Sequence, residues 1–355
     1  MNIVEQRKSI SSLYVLKAIC AFLVVIIHFP MKYGYYFYPI VRIAVPCFFM
    51  ISGYFLYSDN HEKLISNLKR ALRKTLQVTI WAYAFYFLVE LFLFLIFKNN
   101  TLDIPSHTLL YYIVAGPSIG GSSHLWYLIA YIETLIIALI CARTSTIKVL
   151  WWLFPIGLIL NLLIGKYSFI LPPIDFSVIG LPKYIAARNF ITIGIPAFAV
   201  GLFLRKNITL IQQRFTAQKI WIATVVFLML AIIEFAFLEV QYGRENTGDI
   251  SFFTIPLTVC LVLLCLQYPS FGAGSYFSTI GRKYSTDIYI YHMFGGNFLV
   301  GYIGAIIYKI TGIETLALYN APTVFVATLI FVVVWQRCVE WAKMKTSKIF
   351  AAIAR

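Results

Sequence analysis

The sequence predicts an all-α integral membrane protein, built as a bundle of about ten transmembrane helices. Of its 355 residues, 61% are hydrophobic and only 12% are charged, and its mean hydropathy is +0.82. A soluble chain needs roughly a quarter of its residues charged to cover its surface, so these values exclude a soluble domain. The apolar runs are continuous, whereas the strands of a membrane barrel alternate apolar and polar residues.

The helices are expected to lie between residues 11 and 342. A helix needs about 20 apolar residues to cross a hydrocarbon core about 30 Å thick, and ten runs of about that length occur. In chain order the predicted spans are 11–30, 40–58, 76–97, 123–142, 148–165, 188–204, 219–239, 251–268, 286–308 and 321–342. The first run lacks a small-residue cleavage site and is expected to be a retained helix. Residues 1–355 are expected to form one transmembrane domain with no appended soluble domain.

The distribution of Lys and Arg predicts the topology. Of the 29 basic residues, 21 fall on the side of the N-terminus and 8 on the other side of the ten spans. Cytoplasmic loops are enriched in Lys and Arg, so both termini are expected in the cytoplasm. The formal net charge of +15 is spread between apolar spans and forms no single patch. The expected partner is therefore a lipid bilayer and not nucleic acid.

Cysteine and histidine spacing predicts neither a disulfide framework nor a metal site. The six cysteines lie inside or at the edges of apolar spans, and no two of them have a CxxC or metal-ligand spacing. No His and carboxylate cluster suggests zinc or magnesium. We therefore expect no bound metal.

Lys17 and His28 are the titratable residues of the first predicted helix. Eleven positions correspond to about 16 Å of rise and three turns plus about 20°, so both side chains leave one face. Lys17 then lies near the inner surface and His28 near the outer one. A snorkelling lysine and an interfacial histidine explain the pair equally well. A neutral imidazole is also suited to general-base catalysis near pH 7.

The second span and the loop after it hold two further polar features. Ser52 lies among large aromatic residues, and a packing notch is favoured over a catalytic serine because no Ser, His and acid set surrounds it. Arg70 and Arg73 lie three positions apart in a basic loop that also holds Lys69 and Lys74. On a helix the two arginines would share a face suited to gripping phosphate oxygens. Positive charge of an inner loop explains them equally well.

The later spans carry the remaining polar residues at membrane depth. His124 and Trp126 open the fourth span, where Trp126 is typical of an interfacial aromatic belt. Glu133 lies deeper and must pair or be protonated, and Arg188, at the start of the sixth span, is a candidate partner or an acceptor contact. The ninth span follows a basic loop containing Arg282 and carries, within the membrane, Tyr291 and His292.

Taken together, these segments resemble the membrane acyltransferase 3 family, which O-acylates surface carbohydrates in bacteria. The resemblance covers nearly the whole chain and rests on five segments in order. The family has a basic residue and a histidine eleven positions apart, a Phe-Phe-x-x-Ser-Gly motif, paired arginines, a His-Leu-Trp-aromatic-Leu motif and a Ser-x-x-Ile-Tyr-x-x-His motif. The matching positions are Lys17 with His28, Phe48–Gly53, Arg70 with Arg73, His124–Leu128 and Ser285–His292. The family's basic position is commonly Arg, so Lys17 departs from it and loses bidentate geometry.

The resemblance implies transfer of an acyl group, usually acetyl, from cytoplasmic acyl-coenzyme A to a hydroxyl of a lipid-linked or polymeric sugar. His28, with Lys17, is the expected catalytic pair, and Arg70, Arg73 and Arg282 are expected to hold the phosphates of acyl-CoA. Acyl-CoA would be a donor substrate, with no permanently bound cofactor. Candidates for acceptor or transition-state contacts are Ser52, His124, Trp126, Glu133, Arg188, Asn189, Tyr291 and His292. Direct transfer and a covalent acyl-His or acyl-Ser relay both remain open.

The resemblance also implies a bacterial inner membrane and an acceptor on its outer side. Two long outer segments, 98–122 and 166–187, are then expected to contact the carbohydrate. From the residues alone the alternative is a secondary transporter that uses His28, Glu133 and Arg188 as a proton or substrate pathway. A binding or sensing module is a third class. The arginine pair together with His28 favours the acyltransferase.

Overall fold

The protein is helical throughout the part of the chain that the structure describes. The computed structural model describes residues 10–97, 107–172, 174–243, 250–313 and 318–353. It is 82% helical, and no strand occurs in these ranges. The all-α fold class is confirmed. The first part of the outer segment predicted at 98–122 lies outside the described residues, up to position 106, as does position 173 in the other outer segment.

Sixteen α-helices follow one another in the described ranges. The first eight are α1 (Ser11–His28), α2 (Tyr38–Val41), α3 (Ala44–Leu56), α4 (His61–Phe97), α5 (Leu109–Ala115), α6 (Trp126–Arg143), α7 (Val149–Ile164) and α8 (Lys183–Ala187). The other eight are α9 (Ile195–Lys206), α10 (Ile208–Arg214), α11 (Ala217–Tyr242), α12 (Thr254–Gln267), α13 (Tyr276–Thr279), α14 (Ser285–Phe294), α15 (Ile303–Thr311) and α16 (Ala321–Ile353). Three π-helical segments lie at Phe190–Gly194, Ile280–Tyr284 and Gly295–Tyr302.

Eight segments of the described chain are long and apolar enough to cross a membrane, so the chain is a multi-pass membrane protein. They are Ser11–His28, Tyr38–Leu56, His61–Ile96, Ser122–Arg143, Lys183–Lys206, Ala217–Tyr242, Tyr276–Thr311 and Ala321–Lys345. The other two predicted spans, 148–165 and 251–268, correspond to the shorter apolar helices α7 and α12, of 16 and 14 residues. The count of ten spans and the cytoplasmic termini stay predictions.

The prediction that Arg70 and Arg73 lie in a loop is wrong. Helix α4 begins about fifteen residues before the predicted third span and contains both arginines. The helix begins early because its first turns are amphipathic. Leu64 and Leu68 are buried on one face while the basic residues cover the other. The side chain of Asn60 accepts a hydrogen bond from the backbone N–H of Lys63 at 2.8 Å and caps this end.

The chain forms two compact units. The first comprises Phe37–Phe271 together with the chain up to Leu13, and the second comprises Tyr14–Tyr36 and the chain from Gly272 onwards. In the first unit, α3 and α9 approach closely because each has a glycine at the contact. A Cβ on Gly53 would collide with the carbonyl oxygen of Phe198, and a Cβ on Gly201 with that of Met50. The packing notch predicted around Ser52 is therefore a helix crossing.

The second unit packs α14 and the π-helical segments beside it against α1 and α16. A Cβ on Gly281 would collide with the carbonyl oxygen of Tyr14, and a Cβ on Gly296 with the ring of Phe29. A Cβ on Gly295 would collide with Thr328 of α16. These close approaches hold α14 in place from both sides, and α14 carries the histidine described next.

Candidate active site

Two histidines meet in the second unit. His28 is the last residue of α1, and His292 lies in the last turn of α14. Their ring centroids are 5.0 Å apart, with an angle of 45° between the ring planes. His292 is fully buried, whereas His28 is exposed. The structure therefore brings together two titratable rings that lie far apart in the sequence, with one of them accessible.

The orientation of the His292 ring is fixed by the backbone. Its Nδ1 lies 2.7 Å from the carbonyl oxygen of Tyr289. A carbonyl oxygen only accepts, so Nδ1 carries the proton and donates it, and in the neutral ring Nε2 carries the lone pair. The rings of Phe29 and Tyr289 enclose the imidazole, with centroids at 6.3 Å and 6.1 Å. His292 is thus a rigid, oriented ring beside His28.

Two basic residues of the second unit, Lys17 and Arg282, lie at the other end of α1. Helix α1 is continuous from Ser11 to His28, so Lys17 and His28 share a face as predicted. Gly281 packs against the turn of α1 that runs from Tyr14 to Ala18, and this turn contains Lys17. Arg282 follows Gly281 directly and is exposed. Lys17 and Arg282 therefore lie at one level of this unit, about 16 Å along the helix from His28.

Tyr291 points towards α16. It is buried, and its ring packs edge-on against Phe331 with centroids 5.5 Å apart. Its neighbour on α14, Asp287, accepts a hydrogen bond of 2.5 Å from Gln336 of α16. Tyr291 is accordingly part of the α14–α16 contact in the same unit as His28.

Arg70 and Arg73 form a basic cleft in the first unit. Both are exposed, and with Glu62, Ile65, Ser66 and Lys69 they line a cleft of about 490 Å³ along the first turns of α4. Three cations and one carboxylate give the cleft a net positive charge. The two guanidinium groups follow one another by about one helical turn, which suits an anion with several oxygen atoms.

Ser52 has a partner that sequence reasoning missed. Its hydroxyl is hydrogen-bonded to the hydroxyl of Tyr131 on α6. The rings of Tyr127 and Tyr131 stack with centroids 6.0 Å apart, and both pack against Phe49. Tyr131 lies one turn after Tyr127 on α6, and this spacing was the only signal in the sequence.

His124 and Trp126 are built into the packing of the first unit. His124 is buried, its ring lies edge-on to the ring of Tyr86 with centroids 5.4 Å apart, and its Nδ1 lies 3.4 Å from the carbonyl oxygen of Gly121. Trp126 is half-buried and packs against the apolar residues around Phe49 and Tyr111. Both side chains join helix α6 to its neighbours.

Glu133 has one buried carboxyl oxygen, Oε2, that accepts no hydrogen bond from Arg188 or from any other described residue. Arg188 itself ends α8.

The side chain of Asn189, the next residue, is hydrogen-bonded to nearby backbone groups. Its Oδ1 accepts from the backbone N–H groups of Ile191 and Thr192, and its Nδ2 donates to two carbonyl oxygens at the end of α8. Asn189 caps the π-helical segment and, in this conformation, has no donor to offer an oxyanion.

The second unit has an exposed imidazole, the first unit has a basic cleft, and the described residues contain no cluster of metal-binding side chains. Among the residues that the structure describes, no three His, Cys, Asp or Glu side chains come together. His28 is exposed beside an oriented imidazole, and Arg70 and Arg73 can hold a polyanionic group.

The comparison with known proteins gives the family. A family model described as an acyltransferase domain matches residues 10–336, nearly the whole chain. No individual curated protein and no solved structure matches the chain significantly. The matched region contains every helix from α1 to α15 and the first half of α16, with both histidines and both arginines. The chain therefore belongs to the acyltransferase 3 family and is a membrane acyltransferase.

Proposed function

We propose that this protein is a membrane-bound O-acyltransferase that moves an acyl group, with acetyl as the first choice, from cytoplasmic acyl-CoA to a hydroxyl of a cell-surface or lipid-linked carbohydrate. The proposed location is a bacterial inner membrane. The observation that carries the proposal is the exposed His28 ring beside the buried His292 ring, in a chain of an acyltransferase family. The second support is the basic cleft of Arg70 and Arg73.

The donor would be held by its phosphates. Coenzyme A carries a pyrophosphate and a 3′-phosphate, and Arg70 and Arg73 offer two planar guanidinium groups at neighbouring turns of α4. Arg282 is the third candidate, because it is exposed at the level of Lys17 in the second unit. No cofactor is proposed as a resident group, since the thioester is already activated.

His28 would act as the general base. Its neutral imidazole removes the proton of the acceptor hydroxyl as the hydroxyl oxygen attacks the thioester carbonyl carbon. A new C–O ester bond forms, the C–S bond breaks, and the thiolate of coenzyme A leaves and takes up a proton. The atoms balance without an oxidant or a metal. His292, fixed by the carbonyl of Tyr289, would keep the base in one orientation.

The proposal is tested by the binding of acetyl-CoA to the purified protein. Calorimetry or a thermal shift is measured for the wild type and for the double variant Arg70→Ala, Arg73→Ala, because a ligand that prefers the folded state raises its stability. The matched control is Arg214→Ala, Lys219→Ala, which removes the same charge from two exposed residues outside the cleft. Saturable binding that is lost in the cleft variant and kept in the control is expected. If a folded wild type binds no acetyl-CoA, the proposal fails, and flux assays on Glu133 and His28 variants then test transport.

A further inference from the structure

An apolar groove lies between α7 and the start of α12 in the first unit. Its volume is about 250 Å³, and its lining is aliphatic and aromatic throughout. It is lined chiefly by Ile159 and Leu162 of α7, Tyr167 and Ile170 after that helix, and Phe252 and Phe253 before α12. Ile159, Ile170 and Phe252 are each more than half exposed, so the groove is open at the surface of the protein.

One buried carboxylate connects both walls of this groove. Glu234 of α11 accepts a hydrogen bond from the hydroxyl of Tyr167, which belongs to one wall. It also accepts hydrogen bonds from the other wall, from the backbone N–H groups of Phe252 at 2.7 Å and Phe253 at 2.9 Å. Hydrogen bonds to a carboxylate are stronger than those between neutral groups. The groove is therefore a fixed feature of the fold and not a gap between loosely packed side chains.

The two helices beside the groove are apolar and short. Helices α7 and α12 have 16 and 14 residues, which give lengths of about 24 Å and about 21 Å against a hydrocarbon core of about 30 Å. A bilayer accommodates short apolar helices by thinning locally and by contacts between its headgroups and flanking lysines. Lipid headgroups are therefore expected close to the end of α7, where the groove lies.

A lysine lies beside the groove wall that follows α7. The Nζ of Lys183 donates a hydrogen bond of 2.6 Å to the Oγ of Ser168. Ser168 directly follows Tyr167 and lies two residues before Ile170, and both of these residues line the groove. Lys183 is exposed, and this bond uses one of the three N–H donors of its ammonium group. Its charge and its donors are complementary to a phosphate group.

We infer that this groove binds one anionic phospholipid from the surrounding bilayer. One hydrocarbon chain of the lipid lies in the apolar groove, and its phosphate contacts Lys183. A helix from a second copy of the chain, about 10 Å across, is too wide for a groove of this size. The site lies in the first unit and does not depend on the proposed acyl transfer.

Native mass spectrometry of the delipidated protein in detergent tests the charge preference of the site. Phosphatidylglycerol and phosphatidylcholine with identical chains are added separately, and the wild type is expected to retain the anionic lipid severalfold more. Lys183→Gln should lower the retention of phosphatidylglycerol severalfold, towards that of phosphatidylcholine. Lys309→Gln is the matched control, because Lys309 is also exposed but lies in the second unit. Equal losses in the two variants would contradict the assigned contact with Lys183.

A second pair of variants tests the groove itself. Leu162→Trp fills the groove and should lower the retention of both lipids, whereas Ile136→Trp adds the same bulk at an exposed position of α6 outside the groove and should not. Equal retention of the two lipids by the wild type would overturn the proposal, whether or not the variants fold. Displacement of phosphatidylglycerol by an equimolar polyprenyl phosphate, or dimers that form on delipidation and disperse when lipid is added, would overturn it too, since each would identify a different occupant.

Discussion

The imidazole rings of His28 and His292 lie 5.0 Å apart, although the two residues are 264 positions apart in the sequence. The His292 ring is buried and held by the backbone carbonyl of Tyr289, and the His28 ring is exposed. This asymmetry assigns them different tasks in the proposed reaction. Under the proposed function, His28 would meet the acceptor hydroxyl and His292 would support it from the buried side.

Replacing His28 tests its assignment as the base. His28→Ala should reduce acyl transfer by about 10²- to 10⁴-fold, the usual contribution of a general base, with the protein still monodisperse. The measurement is transfer of labelled acetyl from acetyl-CoA to acceptors in membrane vesicles. His61→Ala is the control for the loss of an exposed imidazole, because His61 begins α4 in the first unit and is not among the residues that line the basic cleft. A fully active His28→Ala protein would exclude this role.

The tautomer of His292 is a second prediction. Because its Nδ1 donates to the carbonyl of Tyr289, the neutral ring should show a protonated Nδ1 and a bare Nε2 in the NMR spectrum of ¹⁵N-histidine-labelled protein. The chain has five histidines, so His292→Gln assigns the signals by loss. Exposed His61 should average between both tautomers. A proton on Nε2 alone would show that the Tyr289 contact is wrong.

The sequence predicts the fold class, which the structure confirms, but it does not predict which of the candidate site residues meet. Apolar runs identify the helices because lipid requires each span to satisfy its own backbone hydrogen bonds. The contact between His28 and His292 lies between two close approaches, of Gly281 to the backbone of α1 at Tyr14 and of Gly296 to the ring of Phe29, and no spacing in the sequence reports either. The helical start of α4 was missed since its charges suggested a loop. The amphipathic pairing of Leu64 and Leu68 was the signal.

The role of Asn189 is a second feature that the sequence does not predict. As an amide at the start of a predicted span it was a candidate oxyanion donor, whereas the structure uses both of its N–H groups on the carbonyls of Ile185 and Ala186. Those partners belong to a short helix, α8, inside a segment predicted to be an outer loop. A local cap of this kind depends on the exact ends of two neighbouring elements, which are the least predictable feature of a sequence.

The cap formed by Asn189 predicts that replacing this residue lowers the stability of the protein. Asn189→Ala should lower the free energy of unfolding by about 1–2 kcal/mol, because the π-helical segment loses its side-chain acceptor and two carbonyls lose their donors. Asn189→Ser keeps an acceptor and should recover part of the loss. Asn207→Ala is the control, since its side chain makes one hydrogen bond of 2.9 Å at the end of α9. Thermal unfolding in detergent measures all three, and equal effects at both positions would contradict the cap.

The crossing of α3 and α9 predicts a large effect from one methyl group. Gly201→Ala places a Cβ against the backbone of Met50, which cannot move aside as a side chain can, so overpacking should cost about 1–3 kcal/mol. Gly34→Ala is the control, because the nearest atom to its added methyl is the Cβ of Met31 at 3.3 Å. The melting temperature should fall for Gly201→Ala and change little for Gly34→Ala. Unchanged melting of both variants would mean that the helices do not cross at Gly201.

The hydrogen bond between Ser52 and Tyr131 predicts coupling between two helices. Each of Ser52→Ala and Tyr131→Phe should lower the stability, because the remaining hydroxyl is half-buried beside the stacked tyrosines and loses its partner. The double variant removes both hydroxyls, so its loss should be smaller than the sum of the single losses by about 0.5–1.5 kcal/mol.

The control cycle pairs Ser52→Ala with Tyr127→Phe. Tyr127 stacks on Tyr131 but its hydroxyl is not the partner of Ser52, so these two changes should be additive within about 0.5 kcal/mol. Chemical unfolding in mixed micelles gives the four free energies of each cycle. Additive losses of stability in the Ser52 and Tyr131 cycle would contradict the hydrogen bond between these two side chains. Ser52 would then again be available as the acyl acceptor of a covalent relay, which trapping with hydroxylamine would reveal.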